Sequence, residues 1–235
     1  DIPELVRQLT NKPVMVTLTH GHIDHAGGMN QFEEVYLHPA DFAMAQAVTP
    51  EERGGYVDTM LSMSDGIYSV TRYDVVVPKT RARLLPLQGG TYLHLGNRDV
   101  MVFDTPGHTP GGLSYLDKKE RLLFSGDACN MNTLLAAMGQ PATERTCVTA
   151  LKQTAEKLEA LHPYYDRHYN GHIGYADAKS CMPMPECLVR DCIALCENLL
   201  AGTIVGEKVE NPFCGECRLA RNNTMQIVYR DDQVK

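Results

Sequence analysis

Between Thr19 and Gly28 the chain reads THGHIDHAGG, which puts three histidines and an aspartate (His20, His22, Asp24, His25) within six residues. Imidazole nitrogen and carboxylate oxygen are the ligand types that zinc and its first-row neighbours accept. On an extended backbone His20, His22 and Asp24 share a face while Asp24 and His25 point apart, so the four donors have a spacing that can serve two ions. A polar surface loop is the competing reading. It is disfavoured by density, because imidazoles packed this closely behind an apolar strand cost stability unless something coordinates them. Gly27-Gly28 let the backbone turn tightly into the next element.

The motif needs a rigid frame, and the flanking sequence supplies one. Asp1 to Leu9 combines a capping Asp, an early Pro and an apolar stripe, which predicts a short helix. Val14 to Thr19 is a nearly continuous apolar, β-branched run and predicts a strand buried on both faces. A second short strand spans Glu34 to His38, and Ala40 to Met63 reads as helix interrupted near Pro50 and Gly54-Gly55. Short strands with turn signals follow at Arg83–Leu87, Thr91–Leu95, Asp99–Asp104, Gly112–Asp117 and Arg121–Phe124, a meander by their spacing. Val148, Leu151, Ala155 and Leu158 mark one amphipathic helix, and Leu188, Cys192, Leu195 and Leu199 another. Arg167–Asn170 and Met225–Tyr229 complete the set as strands. Strands alternating with helices indicate an α/β protein.

THGHIDHAGG resembles the H-x-H-x-D-H signature of the metallo-β-lactamase superfamily of hydrolases. Three later motifs extend the resemblance in the family's order, each on a loop after a predicted strand: TPGHTPGG with His108, FSGDAC with Asp127 and YNGHIG with His172. The resemblance implies that His20, His22 and His108 bind a first metal, that Asp24, His25 and His172 bind a second, and that Asp127 bridges them. It also implies a four-layer αββα fold, two mixed sheets face to face with helices outside, in a single domain over 1–235. Two divalent ions are the implied cofactor, zinc first, with iron or manganese as alternatives.

Metallo-β-lactamases proper usually carry Cys or Ser where this chain has Asp127, whereas thioesterases of the glyoxalase II type and lactone-opening relatives keep the Asp. Flavodiiron relatives differ at His22 and carry a further domain. The implied activity is therefore hydrolysis of a small ester, thioester or lactone, with a metal-bridged hydroxide as nucleophile and with Asp24 and Asp127 as catalytic residues. A β-lactamase and a mononuclear iron sulfur dioxygenase are the alternatives. Metals, carboxylates and hydroxide together leave a net positive charge, which suits an anionic small-molecule substrate or a carbonyl that becomes an oxyanion.

Composition narrows the partners. The 235 residues hold 22 Lys+Arg against 29 Asp+Glu, a net charge of −7, so a broad basic face for nucleic acid or anionic membrane is not expected. No apolar run approaches the ~20 residues of a bilayer span. All eight cysteines fall at or after Cys129, an unlikely distribution for a disulfide-stapled fold, and this points to the cytoplasm. Cys214-Gly215-Glu216-Cys217 has a spacing with metal or redox content, against a default of buried thiols. The segment 39–80, with Tyr56, Met60, Met63 and Tyr68, reads as a lid or as a helix covering a sheet; 175–235 is a C-terminal helix and strand region. Lys79, Arg81 and Arg83 alternate, as either a substrate-carboxylate clamp or a solvated strand face. Tyr164, Tyr165 and Tyr169 precede His172 as candidate oxyanion donors. Family members begin with strands that precede the first helix here, so a second chain or an absent segment is expected to complete the N-terminal sheet, and a homodimer is a separate expectation.

Overall fold

The computed structural model describes residues 1–63, 69–135, 139–172 and 182–235. They form two compact units, Asp1–Leu87 and Gln88–Lys235.

The first unit opens with α1 (Ile2–Leu9), whose N-cap Asp1 accepts from the Glu4 N–H and whose first turn holds Pro3. The run expected as a doubly buried strand is instead extended chain joined to its neighbour by one bridge, Thr17 to Tyr36. Leu18 N–H donates to Tyr36 O and Tyr36 N–H to Val16 O. Val16 and Leu18 pack inward, but Val14 and Met15 stay about half exposed. A strand needs a ladder along its length, and two hydrogen bonds do not make one.

The chain then forms α2 (Ile23–Ala26), β1 (Glu34–Leu37), α3 (Phe42–Ala47), α4 (Pro50–Met63) and β2 (Arg83–Pro86). β1 and β2 pair in parallel, with Glu34 opposite Arg83. Pro50 opens α4, as suits a residue with no N–H to give. Gly54-Gly55 lie inside α4 without breaking it. A small core of Ala26, Met29, Val35, Leu37 and Ala45 holds the unit.

The second unit carries β3 (Tyr92–His94), β4 (Asp99–Asp104), β5 (Leu113–Asp117), β6 (Leu122–Phe124), β7 (Asn132–Leu134), α5 (Val148–Ala160), β8 (Arg167–Tyr169), α6 (Leu188–Ala201), β9 (Glu207–Asn211), β10 (Gly215–Arg221) and β11 (Gln226–Tyr229). Four of the five strands expected in the meander appear together, β3 to β6, in a five-stranded sheet of order β3-β4-β5-β6-β8 that is antiparallel except for the parallel β6–β8 pair, while the first, Arg83–Leu87, pairs with β1 instead. A four-stranded sheet runs β7-β11-β10-β9, with β7 and β11 parallel. One core joins both sheets to both helices. It draws on Leu116 and Leu123 from the first sheet and Ile227 and Tyr229 from the second, with Leu151 and Leu158 on α5 and Leu195 and Leu199 on α6. Burying one such side chain contributes roughly 1.5–3 kcal/mol, so this core fixes the loops that leave the strand ends. Among the described residues no helix is long and apolar enough to cross a membrane.

Candidate metal centre

In the first unit all four donors of the HxHxDH run sit on one tight turn. His22 is the N-cap of α2, and its carbonyl accepts from the His25 and Ala26 N–H groups at 3.0 and 2.7 Å. This helical turn corrects the extended geometry expected from the sequence. Asp24 and His25 do not point apart: His25 Nε2 lies 3.4 Å from Asp24 Oδ2. His20 is buried, with ring centroids 4.0 Å from His25 and 5.0 Å from His22. Its Nδ1 meets the Thr19 hydroxyl at 3.1 Å, which turns Nε2 to the other side of the ring.

The peptide joining the first two histidines is held by a residue that the sequence did not single out. Asp41, fully buried, accepts the Gly21 N–H through Oδ2 at 3.0 Å. Asp41 follows β1 and Pro39, twenty positions away, and no local pattern signals the contact.

In the second unit two imidazoles converge on one carboxylate. Asp127 lies on a 3-10 turn, Gly126–Ala128, that leaves β6, and it is buried. His172 Nε2 is 2.9 Å from Asp127 Oδ2, and the His172 N–H donates to the Asn170 side chain at 3.1 Å. His108 Nε2 is 3.5 Å from the same Oδ2.

His108 Nδ1 contacts the Leu134 carbonyl at 2.6 Å. A carbonyl only accepts, so Nδ1 carries the proton and in the neutral ring Nε2 presents a lone pair to the carboxylate. Two acceptors 3.5 Å apart share no hydrogen bond. They do match two ligands of one tetrahedral ion, which at bond lengths of about 2.0–2.1 Å stand about 3.4 Å apart. The Asp24–His25 pair has the same spacing. Imidazoles and carboxylates, with His20 oriented by Thr19 and His108 by the Leu134 carbonyl, form a donor set that fits a divalent metal.

Two residues missed from the sequence hold these loops. Gln140 Nε2 donates to the His108 and Leu135 carbonyls. His168 on β8, buried, meets Ser125 Oγ through Nε2 at 2.7 Å, two positions before Asp127; burial pushes its pKa down to about 4, so it is neutral near pH 7.

Other features resolve as structure. Arg83 pairs with Glu34 across the parallel strands and Arg81 reaches the Gln46 carbonyl, which favours the strand-face reading over a clamp. Tyr164 is half exposed under Lys118 Nζ, Tyr169 stacks on Phe124, and burial raises the pKa of Tyr165, whose hydroxyl faces the Leu158 carbonyl. Cys129, Cys192 and Cys196 are buried free thiols in the main core. Contacts with Cys129 and Cys196, then burial, raise the Cys192 pKa. Burial pushes Cys214 up to about 12. Among the described residues no cysteine belongs to a cluster with metal-ligand spacing. Tyr68 and Cys181 lie outside the described residues.

Acyl-coenzyme A thioesterase MBLAC2 of Homo sapiens is 33% identical over 141 residues, which cover 56% of this chain and 47% of that protein. Its Bos taurus counterpart is 35% identical over 133 residues, 53% of this chain and 44% of that protein. Hydroxyacylglutathione hydrolase of Bartonella quintana is 26% identical over 115 residues, 48% of this chain and 32% of that protein. The chain thus spans less than half the length of these relatives. Among solved structures, a metallo-beta-lactamase from Pontibacter korlensis superposes with a TM-score of 0.50 at 18% identity, covering 83% of this chain and 76% of that one, a likeness of fold alone. The family model for the metallo-beta-lactamase superfamily matches residues 4–174, a span that begins in α1 and runs past His172, and the chain belongs to that superfamily.

Proposed function

We propose that the chain is a metal-dependent hydrolase of small thioesters and related esters or lactones, and that the two donor sets join into one dinuclear centre. The observation that carries this reading is the convergence of His108 Nε2 and His172 Nε2 on Asp127 Oδ2, at 3.5 and 2.9 Å, a cluster of donors that a cation among them would stabilise. His20, His22 and His108 would hold one ion and Asp24, His25 and His172 the other. Asp127 is suited to bridge, because imidazoles from two separate loops both address its Oδ2.

When bound, the divalent ions lower the pKa of water toward neutrality and polarise a carbonyl oxygen. The protein's own groups do the rest. The imidazoles are locked by their outer partners, Thr19 behind His20 and the Leu134 carbonyl behind His108, so little reorganisation is left for the reaction. Asp24 is more open than Asp127, its side chain 25% exposed against 8%, which suits it to orient the attacking water and accept its proton. In the net reaction water oxygen bonds to the acyl carbon, the carbon–sulfur bond breaks, and a carboxylic acid and a thiol leave. The likeness to acyl-coenzyme A thioesterases and the presence of Asp127 where lactamases carry Cys or Ser support a thioester over a β-lactam.

Metal quantification on the purified chain, with a panel of thioesters, esters, lactones and β-lactams, tests the proposal. Two ions per chain with thioester turnover is the expected result. Turnover of β-lactams alone, or a chain that takes up no metal, overturns it.

A further inference from the structure

The first unit contains a cavity of about 440 Å³ that opens onto Asp24, within the range of about 300–1,000 Å³ typical of small-molecule sites. Its walls are Ile23 on α2, Tyr56 and Val57 on α4, and Val70, Val75 and Val76 on the segment after α4. The helix that forms one wall is not a core helix. Of its residues only Gly54 is buried, and no α4 side chain joins the unit's apolar core. α4 thus adds no side chain to that core, and its Tyr56 and Val57 line the cavity.

Two of these valines are exposed to water, Val70 by 48% and Val76 by 40%. Apolar surface left wet beside a concave site is surface that a ligand can cover with gain. The polar residues around the cavity are engaged in building it. Gln31 accepts the Ile2 N–H at 2.9 Å, Asp74 caps the Thr71 N–H at 2.8 Å, and Arg53 reaches from α4 to the Val76 carbonyl, tying the two walls together. The groups that hold these walls are thus committed to one another, and what faces the space is largely valine, isoleucine and the Tyr56 side chain.

We propose that this cavity is the acyl subsite of the enzyme: it takes the unbranched apolar chain of a thioester whose carbonyl end lies at Asp24. The inference rests on the hydrolase reading above and adds a substrate class to it, medium-chain acyl groups rather than small polar ones. A chain lying along Ile23, Val57 and Val75 places its first carbons beside the α2 turn that carries both Asp24 and His25. Selectivity then follows from transfer of methylenes out of water, worth about fourfold in kcat/KM per methylene until the cavity is full, the equivalent of about 0.8 kcal/mol each.

The test pairs a binding measurement with a rate series on the metal-loaded full chain. Binding is read with 11-(dansylamino)undecanoic acid, whose fluorescence rises in an apolar site, and rates with N-acetylcysteamine thioesters from acetyl to decanoyl. Wild type should bind the probe and show kcat/KM climbing about fourfold per methylene. Val57→Trp, which fills the cavity from α4, should weaken probe binding at least tenfold and flatten the series. Val75→Trp fills it from the opposite wall and serves if Val57→Trp fails to fold, as judged by its melting transition. Probe binding lost in both variants, with no thioester cleaved at any length, supports the cavity and overturns the hydrolase reading. Acetyl thioester cleaved at a rate indifferent to chain length, with the probe held equally by wild type and the folded variant, overturns the acyl subsite and leaves the hydrolase reading standing.

Discussion

The Asp41 carboxylate, with no exposure to water, accepts the Gly21 N–H at 3.0 Å and so grips the peptide between His20 and His22. The close approach requires glycine: a Cβ at position 21 would stand 2.8 Å from the Asp41 carbonyl oxygen and 3.1 Å from its Cβ. Asp41 itself lies at the end of a short 3-10 turn, Pro39–Asp41, that His38 caps by accepting the Ala40 N–H through Nδ1. Two segments distant in sequence are thereby fixed together at the point where two imidazoles must aim at one place.

Removing the carboxylate leaves a buried N–H unsatisfied. Asp41→Ala is expected to cost about 1–3 kcal/mol of stability and to weaken metal binding about 10–100-fold. Asp41→Asn keeps an acceptor and should fall between. Chelator competition read with a colorimetric zinc indicator measures the affinity; wild-type affinity in Asp41→Ala would show that the peptide needs no such grip.

Gly21→Ala tests the same contact from the other side. The added methyl must displace backbone rather than a flexible side-chain end, a strain of about 1–3 kcal/mol. The variant should melt lower and bind metal more weakly than wild type, and Asp41→Ala should cost less in this background than in wild type, because the displaced peptide has already loosened its bond to the carboxylate and residues in contact are not additive. Equal and independent losses in the double mutant would remove the coupling.

Asp24 and Asp127 should separate by role. Asp127→Ala removes the carboxylate on which His108 and His172 both converge, so metal content should fall together with turnover. Asp24→Ala should abolish turnover while retaining at least the ion proposed for His20, His22 and His108. Metal-to-protein ratios alongside thioester rates distinguish the two, and full activity in either variant would remove that residue from the chemistry.

Much of this was readable along the chain, and the remainder has a common cause. The four meander strands β3 to β6 followed from alternation and turn residues, and they fall within a residue or so of the expected bounds, as at Asp99–Asp104 and Leu113–Asp117; the fifth expected strand, Arg83–Leu87, pairs with β1 instead. The strands that escaped are those whose identity depends on a distant partner. β7 is three residues long and exists through its parallel pairing with β11, nearly a hundred positions on; it nevertheless carries the carbonyl that fixes the His108 tautomer. β9 offers one apolar residue, Val209, among charged neighbours, and Cys214-Gly215-Glu216-Cys217 drew attention to its sulfur when its local role is a hairpin turn. There the Cys214 N–H bonds the Asn211 carbonyl and Gly215 takes φ +66°. The donor residues were legible because their chemistry is local in the motif. The groups that orient them, Asp41, Gln140 and His168, were not, because a single buried hydrogen bond leaves no periodic trace.

His168 predicts a pH dependence of stability. Its folded pKa is pushed down to about 4 by complete burial, against about 6.5 in the unfolded chain. Between these values the unfolded state binds the extra proton, so unfolding is favoured as pH falls. The contribution of the neutral ring is whole above pH 6.5, declines as pH drops toward 4, and amounts to about 2 kcal/mol between pH 7.5 and 5.0. His168→Gln keeps a polar group near Ser125 without a titrating ring. Urea unfolding of both proteins, stripped of metal so that the other imidazoles titrate alike, should show wild type losing about 2 kcal/mol more than the variant across that interval. Parallel losses in the two would place the His168 pKa near its ordinary value and free the Asp127 loop from dependence on a neutral ring.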